Sequence, residues 1–284
     1  MAASSGISVG PDGVARCSWG DSDDYRRYHD TEWGRPVVDD RRLFEKLVLE
    51  GFMSGLSWLT ILRKREHFRA AFRDFDPAVV ARFGARDAAR LMADAGIVRN
   101  RAKIDATINN ARRHAELVKE FGSLAAYVWG YEPKPRKALL AHAALIERGV
   151  PDEAVAMSKD LRRRGWAFVG PTTVHSFMQA MGLVNDHVRG CAAGLEVERL
   201  RRNFSPFVRL TAKIEAREAG DERGLVSSAV FKTVCGALLR RPGWVRFPSI
   251  PASFPADDSQ DDSHSSGRPR TATDASGRAR LFAT

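Results

Sequence analysis

The sequence contains only three cysteines in 284 residues, an odd number that is too small for a disulfide framework. It has no run of the ~18 apolar residues that a transmembrane helix needs. Its first ten residues lack the basic and apolar stretches of a secretory signal, and no internal repeat is detectable. These absences argue against a disulfide-rich secreted domain and a membrane-spanning protein. They predict a reducing, cytoplasmic setting.

The charge balance is basic, with 45 Lys and Arg against 35 Asp and Glu, for a net charge of +10. A basic globular protein suits an anionic partner such as nucleic acid. Many basic proteins bind no such partner, so the charge alone leaves that question open.

Composition divides the chain into four parts. Residues 1–13 are expected to form a flexible N-terminus, and residues 14–194 carry the apolar periodicity of a folded domain. Residues 195–249 form an extension of uncertain structure, although their first ten residues could extend a helix. Residues 250–284 are rich in Ser, Asp, Pro and Gly, which predicts a disordered tail.

Residues 14–194 have helical patterns almost throughout. Asp39 and Asp40 can cap a helix whose apolar stripe contains Leu43 and Leu47, and Asp76 followed by Pro77 is typical of another helix start. No pair of segments with strand-like alternation appears. The predicted class is therefore all-α.

A helical hairpin is expected over about residues 86–119, where two helices bracket the turn AGIVRNR. Such a turn, which contains Gly96, can present backbone N–H groups to a phosphate, and Arg99, Arg101 and Lys103 would add positive charge. The alternative is an ordinary helical hairpin with a solvated basic tip.

Two cysteines and two histidines could form a split metal site. His187 precedes Cys191 by four residues, which on a helix would place both side chains on one face, and Cys17 and His29 would supply the other two ligands. Two Cys and two His form a closed tetrahedral set, typical of one structural zinc ion. Alternatively, the cysteines are small core residues and the histidines cap helices or bind carbonyls.

Five aromatic residues lie between positions 19 and 58. They can stack on a base extruded from a nucleic acid, or they can simply fill a core. The residues are Trp19, Tyr25, Tyr28, Trp33 and Trp58.

Glu50 is placed unusually, because it ends an apolar helical segment and is followed directly by Gly51. If this carboxylate is buried, it needs partners or a proton. The alternative is a carboxylate at an exposed helix end.

The words RCSWG, YHDTEWG, LFEKLVLEG, SGLSWLTILRKRE, DAGIVRNRAKI and VGPTTVHSFMQAMGLVNDHVRGC resemble the 3-methyladenine DNA glycosylase I family in order and spacing, across about residues 14–194. The resemblance implies a helix-hairpin-helix DNA glycosylase fold. It also implies a zinc ion that joins the N-terminal segment to the C-terminal helix of the core. The implied ligands are Cys17, His29, His187 and Cys191.

The resemblance further implies that Glu50 recognises the base and that Tyr25, Tyr28 and Trp58 line the pocket. Leu56 matches the residue expected to enter the gap left by a flipped nucleotide, and GIVRNRAKI matches the DNA-backbone hairpin. The chain departs from the family at two residues, since Met53 replaces a common glutamine and His175 replaces a frequent tyrosine. The extension 195–284 has no recognised counterpart in the family. The hairpin has one glycine where the wider superfamily often has two.

The implied function is hydrolytic removal of 3-methyladenine from alkylated double-stranded DNA in base excision repair, by a monomer. An alternative from a different functional class is a protein that binds damaged DNA, is stabilised by a structural zinc ion and has no glycosylase activity. A zinc hydrolase fits poorly, because four protein ligands leave no position for water.

Overall fold

The computed structural model describes residues 5–20 and 22–204, and most of these residues are helical. The predicted all-α class is confirmed. Among the described residues, no helix has the length and apolar character needed to cross a membrane. The α-helices are, in chain order, α1 (Asp23–Thr31), α2 (Asp40–Met53), α3 (Trp58–Ala71), α4 (Pro77–Val80), α5 (Ala85–Ala93), α6 (Arg101–Phe121), α7 (Leu124–Trp129), α8 (His142–Arg148), α9 (Asp152–Arg163), α10 (Pro171–Ala180) and α11 (Ala192–Arg202).

A small β-hairpin near the N-terminus is the main departure from the predicted fold. Strand β1 (Ile7–Val9) pairs antiparallel with β2 (Ala15–Cys17), with Ile7 opposite Cys17. The flexible N-terminus predicted over residues 1–13 is corrected accordingly, because β1 and the connecting turn lie within it. Strands of three residues are too short to show an alternating pattern in the sequence. Residues 1–4 lie outside the described part.

Helix α2 forms the centre of the core and packs against α3, α6, α7 and α10. Asp39 caps its N-terminus, where the side chain accepts a hydrogen bond from the Arg42 N–H at 3.0 Å, as the sequence predicted. Every residue of α2 from Leu43 to Phe52 is buried. A carboxylate in the last turns of this helix is therefore enclosed by protein.

Helices α5 and α6 lie where the sequence predicted the hairpin. Helix α5 ends at Ala93, and α6 begins after Asn100, whose side chain accepts a hydrogen bond from the Lys103 N–H at 3.1 Å. Buried Ile97 anchors the turn between them in the core. The two helices and the turn form one continuous unit.

The predicted domain boundary at residue 194 falls inside α11, which is a second correction. Val197 is only 1% exposed, and Glu196 pairs with Arg35 at 3.0 Å. Arg201 pairs with Glu132 at 2.9 Å. The folded unit therefore extends at least through α11. The remainder of the 195–249 extension and the predicted tail over 250–284 lie outside the described residues.

Replacing Val197 with Ala in the full chain is expected to reduce the free energy of unfolding by about 2 kcal/mol, because the substitution removes two buried methyl groups. Leu195 is on the same helix but is 70% exposed, so Leu195→Ala is the matched control, with an expected change within about 0.5 kcal/mol. Chemical denaturation of both variants measures the difference. Equal effects would contradict the placement of α11 in the core.

Candidate functional site

The aromatic residues singled out in the sequence form one cluster at α1, α3 and the 3₁₀ turn at Ser18–Gly20. The Tyr28 and Trp58 rings are 5.4 Å apart between centroids. The Trp19 ring lies 5.8 Å from Tyr25 and 4.9 Å from Trp33. Tyr28 is buried, whereas Trp19 is 38% exposed, so one side of the cluster reaches the surface.

Glu50 is buried beside this cluster, at 4% exposure. Of the two sequence interpretations, the enclosed carboxylate is therefore the one observed. Its Oε1 lies 3.0 Å from the ammonium of Lys46, one turn earlier on α2. Its Oε2 is buried and has no hydrogen-bond partner among the described residues. A buried oxygen of this kind is free to accept a hydrogen bond from a ligand.

Lys46 is a residue that sequence reasoning missed. Its ammonium donates a hydrogen bond to the Tyr28 Oη at 2.6 Å and lies 3.4 Å from the centroid of the Trp58 ring. Burial lowers the pKa of Lys46, while the nearby Glu50 carboxylate acts in the opposite direction. The available signal was the i,i+4 spacing of Lys46 and Glu50 within an apolar helix.

Tyr28 and Tyr25 contribute differently to the cluster. Burial, reinforced by the charge of Glu50, raises the pKa of Tyr28 well above its ordinary value, so the phenol stays neutral. The Oη of Tyr25 accepts a hydrogen bond from the Leu59 N–H at 3.0 Å. This bond ties α1 to the first turn of α3, next to Trp58.

The loop between α2 and α3 carries Met53, which is half-buried against the core, and Leu56, which is 44% exposed. Gly55 has a φ of +79°, a backbone conformation that favours glycine. The Leu56 N–H donates to the Met53 carbonyl at 2.7 Å. This tight turn presents an apolar side chain to solvent beside the aromatic cluster.

The site combines an unpartnered acceptor, an unpartnered donor and aromatic rings, of which that of Trp19 is exposed. The Trp58 Nε1 is, like the Glu50 Oε2, buried without a hydrogen-bond partner in the described structure. Flat aromatic faces attract other rings and cations. The arrangement is chemically suited to a planar, positively charged ligand that donates hydrogen bonds.

Three of the four predicted metal ligands lie together in the structure. The ligand atoms of Cys17, His29 and Cys191 all lie within 4.8 Å of one another, and all three residues are buried. The Cys191 Sγ is 3.5 Å from the His29 Nε2. The hydrogen bond between the two thiol groups raises the pKa of Cys17 and lowers that of Cys191.

His187 lies beside this group but is not one of the three residues whose ligand atoms lie within 4.8 Å of one another. Its ring centroid is 5.0 Å from that of His29, and its Nε2 is buried without a hydrogen-bond partner in the described residues. Added Cβ atoms at Gly34 or Gly194 would lie 2.9 Å or less from the His187 side chain. The structure therefore makes close-fitting room for this imidazole.

The predicted helical spacing of His187 and Cys191 is wrong. Both residues lie in the loop between α10 and α11, and Cys191 is the N-cap of α11. The loop is held by local contacts instead, because the Nδ1 of His187 lies 2.8 Å from the Asn185 Oδ1. Neighbouring Asp186 pairs with Arg136 at 2.7 Å and with Arg148 at 2.6 Å.

The donor chemistry fits a zinc ion. Two sulfurs and two imidazoles are a common tetrahedral zinc set. The outer nitrogen of each imidazole also has an oxygen partner, since the Nδ1 of His29 lies 2.8 Å from the Asp30 Oδ1, and the Nδ1 of His187 is held by Asn185. Such contacts orient metal-binding histidines.

His175, the second departure from the family pattern, lies on α10 outside the aromatic cluster. Its Nε2 is 3.1 Å from the Asp186 Oδ2. It thus belongs to the charged group that holds the 185–191 loop.

The predicted DNA-contact residues divide into two groups. Arg99 and Arg101 are exposed at the hairpin, and Arg101 pairs with Asp105 one turn later at 2.8 Å. Gly96 allows close packing, because an added Cβ would lie 2.8 Å from the His67 ring. Its N–H already donates to the Asp94 side chain at 2.7 Å, which gives the glycine a structural role.

Lys103 requires a correction. It is 8% exposed, and its ammonium donates to the carbonyls of Phe52 at 2.8 Å and Ser54 at 2.6 Å. These carbonyls lie at the C-terminal end of α2, so the Lys103 side chain points into the protein. An ammonium held inside the protein by these carbonyls does not contact the DNA backbone.

Comparisons with known proteins identify the family of this chain. The sequence model of the methyladenine glycosylase family matches residues 18–194. DNA-3-methyladenine glycosylase 1 of Escherichia coli (strain K12) is 45% identical over 182 residues, which are 63% of this chain and 96% of the relative.

Two solved structures are also similar, each with a TM-score of 0.59. One is a 3-methyladenine DNA glycosylase I from Staphylococcus aureus, 40% identical, covering 63% of this chain and 96% of the other. The second is a variant of 3-methyladenine DNA glycosylase I in complex with 3-methyladenine, 38% identical, covering 63% and 97%. The resemblance seen in the sequence is confirmed, and the chain belongs to the methyladenine glycosylase family.

Proposed function

We propose that this protein is a base excision repair glycosylase that removes 3-methyladenine from alkylated DNA by hydrolysing its N-glycosidic bond. The observation that carries the proposal is the buried Glu50, whose free Oε2 lies beside a cluster of aromatic rings. The names of the relatives agree with this activity. Glu50 is the catalytic residue, and Tyr25, Tyr28 and Trp58 line the pocket.

The chemistry makes modest demands on the protein. Methylation at N3 gives the adenine ring a positive charge, so the base leaves the sugar as a neutral molecule and needs no general acid. Extrusion of the base costs a few kcal/mol, which stacking at about 1–3 kcal/mol per ring offsets. Glu50 accepts a hydrogen bond from the exocyclic amine and favours a cationic base over a neutral one.

We assign one structural zinc ion to Cys17, His29, His187 and Cys191. The donor types and the unpartnered Nε2 of His187 support this assignment. When bound, the ion would hold the N-terminal segment against the start of α11. Four protein ligands leave no position for a reacting water, so no catalytic step is assigned to the metal.

The contacts with DNA are assigned to two surfaces. Exposed Leu56 enters the gap left by the flipped nucleotide, and the hairpin binds the backbone of double-stranded DNA through Arg99 and Arg101. Action as a monomer and a cytoplasmic location complete the proposal.

Replacing Arg99 with Ala is expected to weaken DNA binding similarly for all sequences, because phosphate contacts carry no sequence information. The slope of log K against log salt should become less steep by about 1. Lys159→Ala removes the same charge from the exposed face of α9 and is the control. Unchanged salt dependence of Arg99→Ala in fluorescence anisotropy would contradict the hairpin assignment.

A damaged-DNA-binding protein without glycosylase activity remains the alternative, and Met53 motivates it because a glutamine is common there in the family. Base release from methylated duplex DNA by the full chain distinguishes the two. Release of 3-methyladenine supports the glycosylase. Tight binding to a duplex containing an abasic analogue, without any base release, would support the alternative.

A further inference from the structure

The ammonium of Lys46 covers one face of the Trp58 ring. It is 3.4 Å from the centroid of the Trp58 ring, which is van der Waals contact. It is also 4.8 Å from the centroid of the Tyr28 ring. A second ring cannot stack on this face of Trp58 while the ammonium stays there.

Lys46 also makes the contacts expected of a cationic base. It carries a positive charge over an aromatic face, and it lies within hydrogen-bond distance of Glu50 at 3.0 Å. Like charges cannot share such an enclosed space at low cost, because the low dielectric of an interior strengthens their repulsion. A charged base and the Lys46 ammonium are therefore mutually exclusive beside Glu50.

A second acidic group is available to the displaced lysine. Glu32 acts electrostatically on Lys46, and its side chain is 33% exposed, so it lies closer to solvent than Glu50. Glu32 is shared with Arg65, whose Nη1 is 2.6 Å from its Oε2. Because the four-carbon stem of lysine is flexible, we expect Lys46 to change partners without movement of α2.

We propose that Lys46 lowers the affinity of the site for bases, because it occupies the empty base pocket as an internal cation and competes with the incoming base. A cationic base replaces the ammonium as the counter-ion of Glu50, whereas a neutral base leaves Glu50 without one. The observed association constant for any base is the intrinsic constant multiplied by the fraction of molecules in which the pocket is open. This inference rests on the proposed function of the site.

The test measures binding of two small probes to the full chain by titration calorimetry. The probes are 3,9-dimethyladenine, which is a cation at neutral pH, and neutral 3-methyladenine. For Lys46→Met we expect at least about tenfold tighter binding of the cation, the gain that follows if the pocket is open in about one molecule in ten. Because the competitor is removed for both probes, neutral 3-methyladenine should also bind more tightly.

Three further variants make the result specific. Lys46→Gln keeps a donor for Glu50 if the methionine variant fails to fold, and it should also bind the cation more tightly. Lys46→Arg keeps the charge and should show no gain. Lys119→Met removes the same charge from an exposed position in the last turn of α6 and should bind like the unaltered protein.

The outcomes separate this inference from the proposed function. Equal or weaker binding of the cation by folded Lys46→Met and Lys46→Gln would overturn the competitor role, even if the unaltered protein releases 3-methyladenine from DNA. Tighter binding by these variants would support it, even if no base release occurred and the proposed function failed. Absence of both binding and base release in every variant would overturn both.

Discussion

Replacing Glu50 with Gln is expected to reduce kcat/KM for release of 3-methyladenine from alkylated DNA by at least about 100-fold. Truncating or neutralising one partner of a buried charge pair typically costs 2–5 kcal/mol, and 1.36 kcal/mol corresponds to a factor of ten. Glutamine has nearly the same shape as glutamate and keeps one acceptor oxygen. The loss therefore reports on the negative charge, which is the feature proposed to select a cationic base.

Glu45→Gln provides the matched control for this change. Glu45 is a second buried carboxylate of α2, paired with Arg69 at 2.8 Å, and is 9% exposed. Its neutralisation should lower stability with little effect on kcat/KM. Thermal unfolding of both variants checks that they are folded. An undiminished rate in folded Glu50→Gln would remove the physical basis of the proposed reaction.

The helices were predictable because their signals are local. Asp39 as a cap, Asp76 followed by Pro77, and the apolar stripe of α2 each act within a few neighbouring residues, and α2 and α4 begin where these signals place them. The three-residue strands were not predictable, since Ile7–Val9 acquires its structure from pairing with β2. A segment that short has no periodicity of its own.

The charged residues of the site were harder to place. Lys103 lies in the hairpin motif beside two exposed arginines, yet its ammonium binds carbonyls at the end of α2. Lys46 resembles an ordinary solvated partner of Glu50, yet both are buried. The direction and burial of a long side chain depend on the packing of distant segments, which local spacing does not encode.

The geometry of the proposed metal site also could not be predicted from local spacing. The residue types were sufficient to propose Cys17, His29, His187 and Cys191, but the helical spacing used for the last two does not exist in the structure. Their approach results from a loop held by Asn185 and Asp186. Residues can therefore lie close together for a geometric reason other than the one that first suggested the group.

Removal of the proposed zinc ion is expected to lower Tm by about 10 °C or more. The four ligands come from β2, α1 and the loop before α11. The N–H of Val188, 171 positions after Cys17 in the chain, donates a hydrogen bond to the Cys17 sulfur. A metal that joins distant segments contributes its binding energy to folding. For a domain of 150–250 residues, each kcal/mol shifts Tm by about 2–4 °C, so a net contribution of several kcal/mol produces this change.

Loss of the metal should also weaken base binding, because α1 supplies residues to both the metal site and the base pocket. Tyr28 lies in the aromatic cluster and is followed directly by His29, while the Trp33 ring contacts His187 at 4.5 Å between centroids. Loss of the metal would free this helix and reduce base binding together with Tm. Calorimetry with 3-methyladenine before and after chelation measures that connection.

Elemental analysis and two histidine variants complete the test. The purified protein should contain one equivalent of zinc, and His187→Gln should lose it and melt at a lower temperature. His114 is also largely enclosed, but it packs against Phe44, 5.7 Å away between ring centroids, so His114→Gln should keep its zinc. Less than about half an equivalent in folded, stable protein would mean that the two thiols and two imidazoles stabilise α1 without a metal.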